Sequence, residues 1–259
     1  MYGGSDAAPP RRIVCLSAEH AELCHALGAS DRVVGVPGTA QRPPAVRDTA
    51  RVGGFTTFRV ERILELEPDL ILAFSDLQAD VVAELIRAGR SVLCTNPRSV
   101  DEVLQSILVV GGAIGESDAA GALVLDMRDE IRQVREYSSV WPDPLIAGIR
   151  WVSEIVELAG GRDVFPELRA ARAAKDRVVD AADIVRRDPD IILASWCGKP
   201  VDVDAIRSRP GWEGVSAVRR GEIHVLDGAD ILSPGPSLLQ GLRQIHEVVQ
   251  AFMTRPPDS

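Results

Sequence analysis

The chain has 259 residues, a formal net charge of -9, and a hydrophobic content of 46%. This length suits one large or two modest domains, each able to bury its own core. The acidic balance excludes a typical nucleic-acid partner, which requires a basic protein face. No apolar run approaches the roughly 18 residues that indicate a membrane span.

The first hundred residues alternate between strand and helix signals. Uniformly apolar runs predict buried parallel strands, and glycines after amphipathic segments predict helix ends. The predicted elements are strand 13–17, helix 18–27, strand 33–36, a Pro/Gly-rich loop at 37–54, helix 60–66, strand 69–74, helix 79–88 and strand 92–95. This alternation predicts a parallel sheet with helices on both faces.

A long helical stretch then runs from Val100 to about Tyr137, with a predicted break near Gly111, Gly112 and Gly115. It is neither Gly/Ser-rich nor Pro-rich, so we expect a stiff connection rather than a flexible linker. The predicted domains are an N-terminal α/β lobe at 1–98, a connecting helical segment at 99–137 and a C-terminal α/β lobe at 138–259.

The second half of the chain repeats part of the first. Residues 63–75 read as a helix end, a Pro-Asp turn and an apolar strand, and the same pattern recurs at 184–196. Two copies are too few for a solenoid, so they predict two similar lobes, which usually face each other across a cleft. The other elements predicted in the second half are helix 151–159, strand 190–194, strand 223–226 and helix 238–252.

Aromatic residues make up only 4% of the chain, so their positions are informative. Phe74 and Trp196 end the two repeated strands, and open parallel sheets bind ligands outside the carboxyl ends of their strands. Flat side chains there suit a large, partly apolar ligand, although each one alone could equally be core packing. The other candidates from loops and strand ends are Phe55, Phe58, Ser75, Asp76, Trp141, Cys197, Lys199 and Asp230; turn formation and helix capping are the alternative roles for the polar ones.

Metal and catalytic signals are sparse. His20 and Cys24 are four residues apart on one predicted helix and could share a metal, or His20 could reach a ligand from the helix start. The four cysteines follow no zinc-finger or disulfide-scaffold spacing. No serine-hydrolase elbow and no phosphate-binding loop occurs. We therefore expect neither an enzyme, nor a protein-built metal site, nor a cofactor of the protein's own.

Several segments carry a resemblance to a known family. Over about 12–252, the chain resembles the helical-backbone class (class III) of substrate-binding proteins, which serve importers of cobalamin, iron-siderophores and haem. The segments that resemble the whole class are RIVCLS (12–17), RILELEPDLIL (62–72) and GGRDVF (160–165). Those that look like the cobalamin-binding branch are FSDLQAD (74–80), PDPLIAG (142–148), SWCGK (195–199), RPGW (209–212) and LSPGP (232–236).

The resemblance implies two Rossmann-like lobes with parallel sheets, joined by a long rigid helix, with cobalamin or a related corrinoid in a cleft between them. It adds ligand contacts at Thr56, Pro144, Leu145 and Leu232, and a further strand at 137–141. It also implies a monomer that works with an ABC importer.

Two questions stay open from the sequence. The resemblance implies a periplasmic location, but the Gly/Ala/Pro-rich N-terminus lacks an apolar signal-peptide core, so a cytoplasmic location is the alternative. The alternative functions are iron-siderophore or haem binding, in which Arg98, Arg150 and Lys199 would clamp an anionic ligand, and a cytosolic cofactor chaperone or enzyme on the same fold.

Overall fold

The computed structural model describes residues 8–133, 145–196 and 200–254. The chain divides into two compact units. The first contains the residues up to Pro97 together with Asp101–Asp126, and the second contains Arg98–Val100 and the chain from Met127 onward. Within the described residues, no helix combines the length and the apolar character that a membrane crossing requires.

The first unit is built on a five-stranded parallel sheet with the strand order β3-β2-β1-β4-β5. The strands are β1 (Ile13–Cys15), β2 (Val33–Val36), β3 (Ala50–Arg51), β4 (Leu70–Phe74) and β5 (Val92–Thr95). Every residue of β1 and β4 is buried, which explains why these strands are uniformly apolar. The parallel sheet predicted from the alternating pattern is confirmed.

Three helices of this unit begin and end close to the predicted positions: α1 (Ala18–Ala26), α2 (Val60–Glu65) and α3 (Ala79–Arg87). The Ser17 side chain caps α1 by accepting a hydrogen bond from the His20 backbone N–H. Gly28 follows α1 with a φ of +79°, a conformation that favours glycine. The Pro/Gly-rich loop predicted at 37–54 was wrong at Ala50 and Arg51, because these two residues form the edge strand β3 beside β2.

The connecting segment forms two helices, α4 (Val100–Ile114) and α5 (Ser117–Gln133). The predicted break at Gly115 is confirmed, since this residue has a φ of +79°. Gly111 and Gly112 themselves lie inside α4, so the break comes only after Ile114. A side chain at Gly111 would overlap the Cβ of Ala120 on α5, so this glycine permits close helix packing.

The described part of the second unit contains two paired parallel strands, β6 (Ile192–Ala194) and β7 (Ile223–Val225). Its helices are α6 (Arg150–Leu158), α7 (Ala181–Arg187), α8 (Val203–Arg207), α9 (Ser216–Arg220), α10 (Gly228–Ile231) and α11 (Leu238–Met253). The core around β6 and β7 includes the fully buried Trp212 and Phe165. The strand expected at 137–141 lies outside the described residues.

Candidate functional site

The candidate site of the first unit lies at the carboxyl edge of its sheet. Because all five strands are parallel, the residues that follow β1, β4 and β5 meet at the same edge. Ser17 follows β1, Ser75 follows β4, and the β5 residue Thr95 accepts a 2.7 Å hydrogen bond at its carbonyl oxygen from the Ser75 N–H. The strand ends are therefore held together by direct hydrogen bonds.

Two of the predicted aromatic residues come together at this edge. The rings of Phe55 and Phe74 have centroids 6.4 Å apart and planes tilted by 48°, which is within the favourable range for aromatic pairs. Phe74 is 6% exposed, whereas Phe55 is half-buried. Phe58 packs instead against the hydrophobic core of the unit. The accessible aromatic surface at this edge is therefore centred on Phe55.

The loop that carries Phe55 is a tight turn closed at its base. Gly53 forms an antiparallel bridge with Phe58, and the Gly54 N–H donates a 2.7 Å hydrogen bond to the Thr57 carbonyl. Gly53 has a φ of +154°, and a Cβ there would lie 2.7 Å from the Phe58 Cα, so this turn requires glycine. The turn leaves Thr56 exposed beside Phe55.

The residues after β4 form a strained turn. Ser75 is buried with a φ of 65° and a ψ of 167°, in a region that is essentially restricted to glycine. Such a conformation costs about 1–3 kcal/mol, and strain of this kind concentrates at ligand-binding sites. The Ser75 Oγ accepts a 3.3 Å hydrogen bond from the Leu77 N–H. The next two side chains, Asp76 and Leu77, are exposed, and Leu77 exposes 61% of its surface.

Gln78 connects these pieces, and the residue-by-residue reading of the sequence missed it. Its Oε1 accepts a 2.9 Å hydrogen bond from the Phe74 N–H, and its Nε2 donates at 2.9 Å to the carbonyls of both Leu16 and Phe55. The available signal is the Ser75-x-x-Gln78 spacing, which is that of a capping box. In an ordinary capping box the Gln side chain would accept a hydrogen bond from the backbone N–H of the N-cap residue, which is Ser75 here. The Gln78 side chain instead accepts one from the N–H of Phe74, one residue earlier.

His20 is buried next to the carboxyl edge of this sheet. Its Nδ1 is 2.9 Å from the Ser17 Oγ, and its Nε2 is 3.2 Å from the Thr95 Oγ1. Burial lowers the pKa of His20 from 6.5 to about 4, so the ring is neutral at pH 7. Both ring nitrogens thus have protein partners. His20 joins β1, α1 and β5 rather than presenting a free nitrogen to a ligand or metal.

The described cysteines and acids do not assemble a metal centre. The Sγ atoms of Cys15 and Cys24 are 4.0 Å apart, and both side chains are buried. Within the part of the chain that the structure describes, no group of three or more His, Cys, Asp or Glu side chains is arranged to hold a metal ion. The Cys15–Cys24 contact is a weak hydrogen bond between two buried thiols.

In the second unit, Trp196 follows β6 and is half-buried. A Cβ on Gly228 would lie 2.9 Å from the Trp196 carbonyl oxygen, so this glycine lets α10 approach the end of the strand. Trp196 does not occupy the position of Phe74, however, because Phe74 is the last residue of β4, whereas Trp196 lies two residues beyond the end of β6, after the buried Ser195.

The remaining predicted residues of this unit have varied environments. Asp230 is buried and accepts a 2.8 Å hydrogen bond from the Gln244 Nε2, and Leu145 is buried in the core. Leu232 is half-buried at the end of α10. The other four predicted residues lie outside the described residues: Trp141, Pro144, Cys197 and Lys199.

Comparison with known proteins defines the class. The model of a family described as periplasmic binding protein matches residues 13–229, and the chain belongs to this family. An uncharacterized ABC transporter substrate-binding lipoprotein of Bacillus subtilis is 29% identical over an alignment of 266 positions, which covers 93% of this chain and 80% of the relative. A vitamin B12-binding protein of Vibrio cholerae is 24% identical over 254 residues, covering 92% of this chain and 88% of the relative.

Solved structures show the same fold. The periplasmic vitamin B12-binding protein of Vibrio cholerae superimposes with a TM-score of 0.77 at 22% identity, covering 95% of this chain and 99% of that one. A periplasmic heme-binding protein from Roseiflexus gives a TM-score of 0.80 at 23% identity, with coverages of 93% and 98%. The fold class and the family predicted from the sequence are thereby confirmed.

Family membership fixes the general activity. Proteins of this family are extracytoplasmic, substrate-binding components of ABC transporters that carry small ligands, and they are not enzymes. The named ligands of the similar proteins include vitamin B12, heme and Fe3+-hydroxamate. The class of this protein is thus established. The similar proteins are named for different ligands, so the choice among these ligands depends on the residues of this protein's own site.

Proposed function

We propose that this protein binds a cobalamin-like corrinoid outside the cytoplasm and presents it to an ABC importer. The observation that carries the proposal is the Phe55–Phe74 pair, with ring centroids 6.4 Å apart at the carboxyl edge of the first sheet. The relative named as a vitamin B12-binding protein, which is similar over 92% of this chain, supports the same ligand class.

The surroundings of the aromatic pair suit the two kinds of surface that a corrinoid offers. Phe55 and the exposed Leu77 provide apolar area for the macrocycle and its methyl groups. Thr56 and Asp76 are exposed on the two loops that carry these apolar residues, and they provide hydrogen-bonding groups for the amide side chains of the ligand. An apolar centre with a few polar groups is the usual composition of a cofactor-binding site.

One observation disfavours the alternative of an anionic iron chelate or haem. Such a ligand would need available cationic side chains, and Arg150 is one of the three candidates from the sequence, with Arg98 and Lys199. Its Nε lies 2.8 Å from the Glu154 Oε1, while the other oxygen of this carboxylate accepts a 2.7 Å hydrogen bond from the Val100 N–H. The charge of Arg150 is therefore already balanced within the second unit.

The proposal is tested by truncating the aromatic anchors. We expect Phe74→Ala and Trp196→Ala each to weaken the binding of cyanocobalamin more than tenfold, because a well-packed aromatic anchor contributes about 2 kcal/mol or more. Phe252→Ala, the same truncation near the end of α11, is the matched control and should leave the affinity unchanged. Wild-type affinity in both test variants, measured on folded protein, would move the site away from these strand ends.

A further inference from the structure

We infer that Gln78 is a positioning residue, which holds Phe55 against Phe74 and so sets the shape of the aromatic surface. This inference rests on the proposed function for its effect on ligand affinity, but its structural part can be tested without a ligand. Gln78 itself is 1% exposed. It therefore acts through the two phenylalanines and makes no contact with a ligand of its own.

The orientation of the Gln78 amide is fixed by its partners. Two of them, Leu16 and Phe55, offer carbonyl oxygens, which only the NH₂ group can satisfy. The third is the Phe74 N–H, which only the amide oxygen can satisfy. Three hydrogen bonds of 2.9 Å thus connect the end of β1, the end of β4 and the Phe55 turn through one side chain.

These bonds act at the part of the turn that bears the ring. The Gly53–Phe58 bridge and the hydrogen bond from the Arg59 N–H to the Val52 carbonyl hold the base of the turn. The bond from Gln78 reaches the backbone of Phe55 itself. Because the same amide also holds the backbone of Phe74, it couples the two ring-bearing segments directly.

The strained conformation of Ser75 fits this arrangement. A non-glycine residue with a φ of 65° and a ψ of 167° persists only when its surroundings enforce it. The turn that begins at Ser75 brings Gln78 close to the end of β4, so that the Gln78 side chain reaches the Phe74 N–H. The strain is thus compensated by an amide placed at the junction of three segments.

The test compares Gln78→Met, which keeps the length of the side chain but removes its hydrogen bonds, with Gln105→Met. Gln105 is exposed on α4, so it controls for the chemical change alone. In the ligand-free protein we expect amide hydrogen exchange in residues 54–57 to become at least tenfold faster in Gln78→Met only. Unchanged exchange there would overturn the inference.

Affinity for cyanocobalamin supplies the second readout. We expect Gln78→Met to weaken binding at least tenfold in the wild-type background but less than threefold in a Phe55→Ala background, because its effect depends on the Phe55–Phe74 pair, which this background lacks. Equal losses in both backgrounds would overturn the positioning role. If the wild-type protein binds no corrinoid, the proposed function fails, and the exchange comparison still decides whether Gln78 holds the turn.

A second variant, Gln78→Glu, guards against loss of folding in the first. A carboxylate there would face two carbonyl oxygens, whereas its protonated form can donate to one of them. We therefore expect Gln78→Glu to exchange faster at pH 8 than wild type and to approach wild-type protection, relative to Gln105→Glu, on acidification to pH 6. A difference from wild type that does not depend on pH would contradict the assigned hydrogen bonds.

Discussion

Acidification should destabilise the first unit through His20. The ring is buried between Ser17 and Thr95, and burial lowers its pKa from 6.5 to about 4. The unfolded chain therefore binds a proton at a higher pH than the folded one does. The stability associated with the neutral ring is fully present above pH 6.5 and is lost as the pH falls towards 4.

The size of this loss follows from the difference in pKa. One pKa unit corresponds to about 1.4 kcal/mol, so the free energy of unfolding should fall by roughly 2 kcal/mol between pH 7 and pH 5, and by roughly 3 kcal/mol by pH 4. His20→Gln removes the titrating group, so its stability should depend less steeply on pH. His25→Gln makes the same change at an exposed position of the same helix and should follow the wild type.

The assay must report on the first unit alone. All four tryptophans lie in the second unit, so their fluorescence is an internal control. Urea titrations at several pH values, followed by amide hydrogen exchange in β1 and β5, measure the unit that contains His20. If wild type and His20→Gln lose stability in parallel between pH 7 and pH 5, a buried neutral His20 is refuted.

Two further predictions test the packing. Gly241→Ala should lower the free energy of unfolding by about 2 kcal/mol, since the added Cβ would lie 2.5 Å from a side-chain carbon of α10; the control Gly121→Ala on α5, with open space around it, should be neutral or raise stability by about 1 kcal/mol. Thermal and urea unfolding measure the stability of both variants. Equal changes in stability for Gly241→Ala and Gly121→Ala would contradict the predicted packing. Under native conditions a thiol reagent should modify Cys94, which is exposed, while Cys15 and Cys24 react only after unfolding. Peptide mapping checks this order, and native modification of Cys15 would contradict the buried sulfur pair.

The sequence predicted the first unit well because its strands are buried on both faces. Uniform apolar runs such as 70–74 leave little choice of structure, and Ser17 and Gly28 mark the ends of α1 by well-understood capping chemistry. The edge strand β3 escaped prediction because Ala50 and Arg51 form no apolar run. Its pairing with β2 is a tertiary contact that leaves no local pattern.

The candidate site was predictable only in part. Topology alone placed Phe74 at the carboxyl end of its strand, because parallel strands end at a common edge, whereas Trp196 lies two residues beyond β6. Local pattern could not separate Phe55, which contacts Phe74, from Phe58, which joins the core, since the turn that orients both depends on Gly53. The role of Gln78 depends on carbonyls up to 62 residues away, so no short-range signal specifies its partners.

The measurement that tests the central claim most directly is isothermal titration of the wild-type protein with cyanocobalamin, with haemin and a ferric hydroxamate siderophore titrated in parallel. We expect saturable one-to-one binding of the corrinoid, with micromolar affinity or tighter, and no saturable binding of the other two. Tight binding of haemin or the siderophore without the corrinoid would contradict the proposed ligand and leave the family assignment intact.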